Sequence, residues 1–276
     1  MALAALALTA CAALPVRPSL VGYPAVPDDS TGPVTARFMG TSTLSFTDGD
    51  STILIDGFFT RPPMASVLFG ALAPDDDRID RAMSRAGLSL RDGRPPDGIF
   101  VAHAHYDHAL DAAAVAKRGH AVIYGSRSTQ RIAQAEGLRD ARRTVVLEPG
   151  RPYPIGRFRV TAYSTPHSAT PLFWLRGDVE DDFRPPGRLN DFQEGGNFAF
   201  LIERDGCRIL VMPSGAADPG DLDGGHAPVV FLGIGQLGGA ASAKPTPTGA
   251  RRPVPGSPSP SFRYTGTTSR ATSTPR

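Results

Sequence analysis

The chain has 276 residues, with 29 basic and 27 acidic side chains and a formal net charge of +2. Six of the basic residues fall in 239–276, which contains no acidic residue, so residues 1–238 carry 23 basic against 27 acidic side chains. This balance excludes the strongly basic surface expected of a protein that binds nucleic acid, and no nucleic-acid partner is predicted. The length suffices for one domain with a substantial core.

The first residues have the pattern of an exported segment. Residues 1–10 are apolar or small, and Leu8-Thr9-Ala10-Cys11 matches the lipobox that precedes a lipid-modified cysteine. We predict a lipoprotein signal segment over 1–11, with Cys11 as the lipidation site, and a proline-rich tether over 12–33. A plain secretory signal is the alternative. The apolar stretch is too short to span a bilayer, so the lipid would attach the protein to a membrane of the bacterial cell envelope.

Strands and helices are expected to alternate along residues 34–238, which we predict to form one domain. Strands should occur up to about residue 56, and apolar runs bounded by turn residues predict further strands at 98–102 and 121–124 and a hairpin over 198–212. Helical patterns occur near 78–86, 111–117 and 129–135. Two β-rich halves with intervening helices indicate an α+β domain.

The most informative motif directly follows the strand predicted at 98–102. His103-Ala104-His105-Tyr106-Asp107-His108 places four potential metal ligands within six residues. Burying three imidazoles and a carboxylate without a metal would be costly. Imidazole and carboxylate ligands favour a catalytic zinc site of one or two ions, although manganese or iron would also suit them. Neither Cys11 nor Cys207 has a partner at the spacing of a structural zinc site.

The motif resembles the HxHxDH signature of the metallo-β-lactamase superfamily, and the strand pattern of residues 34–63 is also similar. The resemblance implies a four-layer αββα sandwich with its site at one edge of the packed sheets. It implies a third metal histidine, which His167 supplies, and a buried aspartate near the ligands, which Asp56 supplies. Three short segments are similar to a branch that contains N-acyl-phosphatidylethanolamine phospholipase D and lactonases: His105-Tyr106-Asp107-His108-Ala109, Ile55-Asp56-Gly57-Phe58-Phe59 and Gly195-Gly196-Asn197-Phe198.

Two positions depart from the family pattern. Where the family places an aspartate that bridges two metals, this sequence has Ser214, and a hydroxyl is a poorer ligand than a carboxylate. Asp218 and Asp221 could substitute, but turn and helix-cap roles are expected for them. The family's last metal histidine lies near the C-terminus, whereas no histidine follows His226 here.

The composition changes abruptly after Gly238. Residues 239–276 contain seven prolines and almost no large apolar side chains, which predicts a disordered tail. In another reading frame, the codons for 258–269 can encode a strand followed by a histidine and acidic residues. We therefore predict that a frameshift replaced the C-terminus and left the sandwich incomplete there. Resequencing the gene tests this prediction, which an unbroken frame would contradict.

Together these features predict a zinc-dependent hydrolase that uses metal-activated water on an ester, lactone or phosphodiester of a small molecule or lipid. The resemblance implies that His103, His105 and His167 hold the ion. Asp107 would be the catalytic residue, by orienting the water or by binding a second ion with His108. Asp56 and Ser214 would lie next to these ligands and support them without binding the metal themselves.

Two alternatives stay open. The protein could be a non-catalytic metal-binding lipoprotein or an inactive truncated product, because Ser214 and the missing last histidine weaken the site. The aromatic-rich insertion over 173–194 is predicted to form a lid or substrate wall. It could instead be a surface loop whose aromatic side chains pack on the core.

Overall fold

The computed structural model describes residues 34–91, 93–168 and 173–234. Its strands are β1 (Thr35–Gly40), β2 (Thr43–Thr47), β3 (Thr52–Ile55), β4 (Gly98–Phe100), β5 (Val122–Gly125), β6 (Thr144–Val146), β7 (Pro152–Ile155), β8 (Phe158–Ser164), β9 (Phe198–Arg204), β10 (Cys207–Met212) and β11 (Val229–Leu232). Its α-helices are α1 (Met64–Phe69), α2 (Asp76–Arg85), α3 (Tyr106–Ala109), α4 (Ala112–Lys117) and α5 (Arg127–Ala135). Short 3-10 helices cover Ala141–Arg143, Phe173–Leu175 and Leu189–Asp191.

The strands form two sheets. The first has the order β1-β2-β3-β4-β5-β6, antiparallel from β1 to β3 and parallel from β3 to β6. The second has the order β11-β10-β9-β8-β7, and its strands are antiparallel except for the parallel pair β10 and β11. Each sheet therefore comes from one half of the described chain, and the predicted hairpin is β9 and β10.

Side chains alternate between the two faces of the central strands and so pack into two separate hydrophobic cores. In β3, Ile53 and Ile55 face the second sheet and pack with side chains such as Phe200, whereas Leu54 faces the helices. Because both faces of β3 and β4 are covered, these strands read as unbroken apolar runs. The described helices pack on the outer face of the first sheet. The two packed sheets of the predicted sandwich are thus confirmed, together with a helical layer on the first of them.

The helices begin where polar side chains cap them. The Asp75 carboxylate accepts from the Arg78 N–H at 3.0 Å at the start of α2, and the Ser126 hydroxyl accepts from the Thr129 N–H at 3.1 Å at the start of α5. Helix α1 was not predicted. It is only six residues long and buries Val67 alone, so its sequence carries little amphipathic signal. Among the described residues, no helix is long and apolar enough to cross a membrane.

Asp111, just before α4, ties this helix to the segment that follows β3. Its fully buried carboxylate accepts from the Phe59 and Thr60 N–H groups and from the Thr60 hydroxyl, each at 2.6 Å. Burial raises the pKa of this carboxyl, although its hydrogen bonds oppose the rise. The interaction fixes the start of α4, which lies directly after the histidine-rich motif.

We expect Asp111→Ala to lower the free energy of unfolding by about 2–3 kcal/mol, because it leaves buried donors without acceptors. Asp111→Asn retains an acceptor oxygen and should lose much less.

The pH dependence of stability gives a second prediction. Because the folded pKa of Asp111 is raised, the contribution of this carboxyl to the free energy of unfolding is fully present below the unfolded value of about 3.9 and is lost as pH rises through the folded pKa. The wild type should therefore lose stability relative to D111N as pH rises from 4. Urea unfolding across this range measures both effects, and equal losses in both variants would contradict the prediction.

Candidate metal centre

The centre forms where two parallel strands of the first sheet end. Because β3 and β4 run parallel, the residue after β3, Asp56, lies beside the motif that follows β4. The Ala102 N–H donates to Asp56 Oδ1 at 2.8 Å, and the Ala102 carbonyl accepts from the Phe198 N–H of β9 at 2.9 Å. These bonds divert the chain from the sheet, so β4 ends at Phe100 and not at Ala102 as predicted. They also join the two sheets at the site.

Three histidines converge from both sheets. His103 and His105 follow β4, with Ala104 between them buried in the opposite direction, and His167 lies in the loop after β8. One ligand nitrogen from each of the three lies within 4.8 Å of the others. The ring centroids are 4.6 Å apart for His103 and His105, 4.6 Å for His103 and His167, and 4.9 Å for His105 and His167. The structure thus brings together the three residues predicted as the primary ligands.

His105 and His167 each have one ring nitrogen within hydrogen-bond distance of a backbone carbonyl. His105 Nε2 lies 3.0 Å from the Leu175 carbonyl oxygen, and His167 Nδ1 lies 2.7 Å from the Ser168 carbonyl oxygen. A carbonyl oxygen only accepts, so each of these nitrogens must carry the hydrogen. The unprotonated nitrogens are therefore Nδ1 of His105 and Nε2 of His167, which fixes which atoms are free to bind a cation.

His103 is the residue that most clearly requires a ligand. Its side chain is buried, yet neither ring nitrogen has a hydrogen-bond partner among the described residues. Burial, reinforced by His108, His105 and His167, holds the pKa of His103 well below 6.5, and burial lowers that of His105 to about 4. Both imidazoles are therefore neutral at pH 7, which is the form that binds metal. A divalent cation such as zinc fits these three ligands.

His108, on α3, has a different set of partners. Its Nδ1 lies 2.8 Å from Asp56 Oδ2 and 3.1 Å from the Ser42 hydroxyl, which also donates to Asp56. Burial alone would lower the pKa of His108, but the carboxylates of Asp56 and Asp107 outweigh it and raise the pKa to about 9. Asp56 is fully buried and has a positive φ of 59°, a conformation that aspartate tolerates better than most residues. Asp56 therefore orients His108, whose ring centroid is 3.8 Å from that of His103.

Asp107 and Ser214 lie at the edge of the three-histidine cluster. Asp107 is partly exposed, and its Oδ2 is 3.8 Å from His108 Nε2. Ser214 accepts a hydrogen bond from the Ser168 N–H at 3.2 Å, so it supports the loop beside His167. Their predicted roles as metal ligand and supporting residue stay predictions. The Asp218 N–H donates to the Asp221 carboxylate at 2.7 Å, as expected for turn residues.

A cavity of about 750 Å³ opens over the histidines. Its apolar wall comes from both sheets and from the insertion, and includes Phe38, Leu44, Leu175, Leu189, Val211 and Phe231. No arginine or lysine is among the described residues that line it, and Asp107 is its one carboxylate. The cavity therefore offers mostly apolar surface, with the carboxylate of Asp107 and the imidazole of His108 beside the site.

The insertion over 173–194 is anchored at this cavity. The Glu194 N–H donates to the Leu175 carbonyl and the Ala104 N–H donates to the Glu194 carbonyl, both at 2.8 Å. Phe192 is buried and lies 5.3 Å from Phe183 between ring centroids, which agrees with the alternative of aromatics packed on the core. Leu175 and Leu189 nevertheless line the cavity, so the segment lies where a substrate wall is required. The role as a lid stays a prediction.

Several predictions fall outside the described residues. They are the signal segment with Cys11, the tether over 12–33 and the tail over 239–276, and the domain limits at 34 and 238 are likewise untested. Cys207 is described, is half-buried at the start of β10 and forms no disulfide with another described residue.

Three participants in the site were not predicted. Ser42 and Asn197 are single polar residues without a spacing pattern, and Leu175 acts through its backbone carbonyl, which no side-chain pattern reveals. A turn at Gly40 and Thr41, both with positive φ, directs Ser42 inward, but this geometry appears only in the fold. The sequence had drawn attention to Asn197 solely as part of a segment similar to one family branch.

Comparison with known proteins identifies relatives. The sequence model of the metallo-beta-lactamase superfamily matches residues 36–212. Two proteins from different strains of Thermus thermophilus, both named UPF0173 metal-dependent hydrolases, are 32% identical to this chain over 90 residues. That match covers 33% of this chain and spans 30% of the length of each relative.

Solved structures give more distant similarities. Igni18, described as a metallo hydrolase of Ignicoccus hospitalis, is 16% identical with a TM-score of 0.38, covering 67% of this chain and 60% of its own. The metallo-beta-lactamase fold protein YhfI of Bacillus subtilis is 16% identical with a TM-score of 0.36, covering 66% of this chain and 57% of its own.

Proposed function

Because the chain belongs to the metallo-β-lactamase superfamily, we propose that it is a zinc-dependent hydrolase of uncharged esters or lactones. The observation that carries this proposal is the buried cluster of His103, His105 and His167, in which His103 has no partner among the described residues for either ring nitrogen. The relatives named metal-dependent hydrolases support the reaction class. Manganese or iron would suit the same nitrogen ligands.

The residues of the cluster and those around it would have different roles in the reaction. A zinc ion held by the three histidines would lower the pKa of water toward neutrality and polarise the substrate carbonyl. Asp107 borders the cavity, and its partly exposed carboxylate can orient the attacking water and accept its proton. Asp56 holds His108 in a fixed orientation behind Asp107.

The lining of the cavity favours a neutral substrate. A phosphodiester carries a negative charge that hydrolases commonly neutralise with arginine, lysine or several metal ions. Neither arginine nor lysine lines the described cavity, so a phosphate there would find no cation besides the metal ion and His108, which is already paired with Asp56. Apolar side chains such as Phe38 and Leu189 suit the hydrocarbon part of an ester or lactone.

The test is a hydrolysis screen with zinc-loaded full chain. We expect kcat/KM for a p-nitrophenyl ester or an acylated lactone to exceed that for bis-p-nitrophenyl phosphate by about tenfold or more. Metal analysis of the purified protein should give at least one zinc per chain. Preference for the phosphodiester would contradict the proposed substrate class. Bound zinc without turnover of any substrate would favour the alternative, a non-catalytic metal-binding protein.

We also propose that the protein is anchored to a bacterial envelope membrane through lipid on Cys11, on the basis of the sequence Leu8-Thr9-Ala10-Cys11. Expression in bacteria with radiolabelled palmitate should label the wild type and C207A, and C11A should carry no label. Cys207 is a matched control because it is the other cysteine of the chain. Equal labelling of C11A and the wild type would contradict the proposal.

A further inference from the structure

Asn197 occupies a buried position between the two halves of the metal centre. It directly precedes β9 and is only 3% exposed. Its Nδ2 donates to the Thr165 hydroxyl at 2.9 Å and to the Thr165 and Pro166 carbonyl oxygens at 3.3 Å each. One side of the amide therefore holds the loop that carries His167.

These contacts fix the orientation of the amide group. Nδ2 faces three oxygen atoms, two of which are carbonyls that can only accept. A flipped amide would place Oδ1 against these carbonyls, which is unfavourable. Oδ1 must therefore point the other way, where it is buried and has no hydrogen-bond partner among the described residues.

His103 lies beside Asn197. The N–H of Phe198, the residue after Asn197, donates to the carbonyl oxygen of Ala102, the residue before His103, at 2.9 Å. Three buried atoms of these two side chains have no hydrogen-bond partner among the described residues. They are Asn197 Oδ1, His103 Nδ1 and His103 Nε2. An orphaned acceptor thus lies beside a ring that must present one N–H and one lone pair.

We propose that Asn197 is the positioning residue of the metal centre: its Oδ1 accepts the ring N–H of His103, while its Nδ2 holds the His167 loop. This inference rests on the proposed metal site and adds a role to it. Fixing the hydrogen on one nitrogen of His103 leaves the other nitrogen free to bind the cation, as the Leu175 and Ser168 carbonyls do for His105 and His167. In this way each of the three ligands has its own acceptor.

Two substitutions of Asn197 distinguish the role of its acceptor, Oδ1, from the role of its donor, Nδ2. Asn197→Leu has a similar size but removes both the acceptor and the donor, so zinc affinity should fall about 10–100-fold. Asn197→Asp keeps an acceptor for His103 but places a carboxylate against the Thr165 and Pro166 carbonyls. We expect N197D to lose thermal stability and to bind zinc more weakly than wild type but more tightly than N197L, because it keeps the acceptor for His103. Thr165→Val, which removes one acceptor for Nδ2, is the control for weakened loop anchoring and should bind more tightly than N197L.

The experiment measures zinc dissociation constants of the full chain by competition with a chelator, together with melting temperatures. Wild-type affinity in N197L would overturn the proposal, and so would equal losses in N197L and N197D, because they would assign Asn197 a structural role only. Wild-type protein that binds no zinc would instead refute the proposed function.

A second measurement does not require the variants to fold. Long-range ¹H–¹⁵N NMR of the metal-free wild-type protein should show His103 as one neutral tautomer. A mixture of the two tautomers would overturn the role of Asn197 whether or not the protein is a hydrolase.

Discussion

Replacement of His103 by alanine should abolish stoichiometric zinc binding and lower kcat/KM for the preferred ester by at least about 10³-fold, equivalent to about 4 kcal/mol of transition-state stabilisation. The expectation follows from the position of His103 within 4.8 Å of the ligand atoms of both His105 and His167. Two remaining imidazoles would hold the cation more weakly and in a different position. Metal analysis after dialysis and steady-state kinetics measure the two effects.

His120→Ala is the matched control, because His120 is exposed and is not one of the three clustered histidines. It should retain the zinc content and the kinetic constants of the wild type. If H103A kept its zinc, or if it lost zinc and activity no more than H120A, the assignment of the three-histidine cluster as the metal centre would be wrong.

Replacement of Asp56 by alanine should lower the free energy of unfolding by about 3–5 kcal/mol, the range for removing one partner of a buried ion pair. Asp56 is fully buried and accepts from the Ala102 N–H, from the Ser42 hydroxyl and from His108. Removing the carboxylate leaves the Ala102 N–H and the Ser42 hydroxyl without this acceptor and removes the nearest carboxylate from His108. Chemical denaturation of the metal-free protein measures the loss and keeps metal binding out of the comparison.

Asp50→Ala provides the control, since Asp50 is exposed in the turn between β2 and β3. Its effect should stay within about 0.5 kcal/mol, as for most surface substitutions. A loss in D56A that is as small as in D50A would show that Asp56 does not hold the network together. Ser42→Ala, which removes one of the three donors and not the charge, should fall between the two variants.

The strands and helices that the sequence predicted well are those with strong periodicity. The apolar run before the motif became β4, because both its faces are buried, and the helix predicted near 78–86 became α2, with Asp75 as its cap. Where the prediction failed, tertiary contacts decided the outcome. β4 ends at Phe100 because Asp56 and Phe198 take the backbone groups of Ala102.

The three histidines could not all be predicted from the sequence on the same grounds. His103 and His105 follow from their spacing alone, whereas His167 was identified only through resemblance to a family. The structure places it beside them because the loop after β8 in the second sheet meets the end of β4 in the first. A contact across some sixty residues leaves no local pattern in the sequence.

By itself, the amino-acid sequence determined the kind of chemistry, because imidazoles concentrated on a few positions have few uses other than holding a cation. Only the tertiary structure decided which nitrogen of His105 is free. That choice depends on the Leu175 carbonyl, an acceptor that is distant along the chain. A hydrogen bond acts over about 3 Å in space, and chain folding alone brings such groups within that distance.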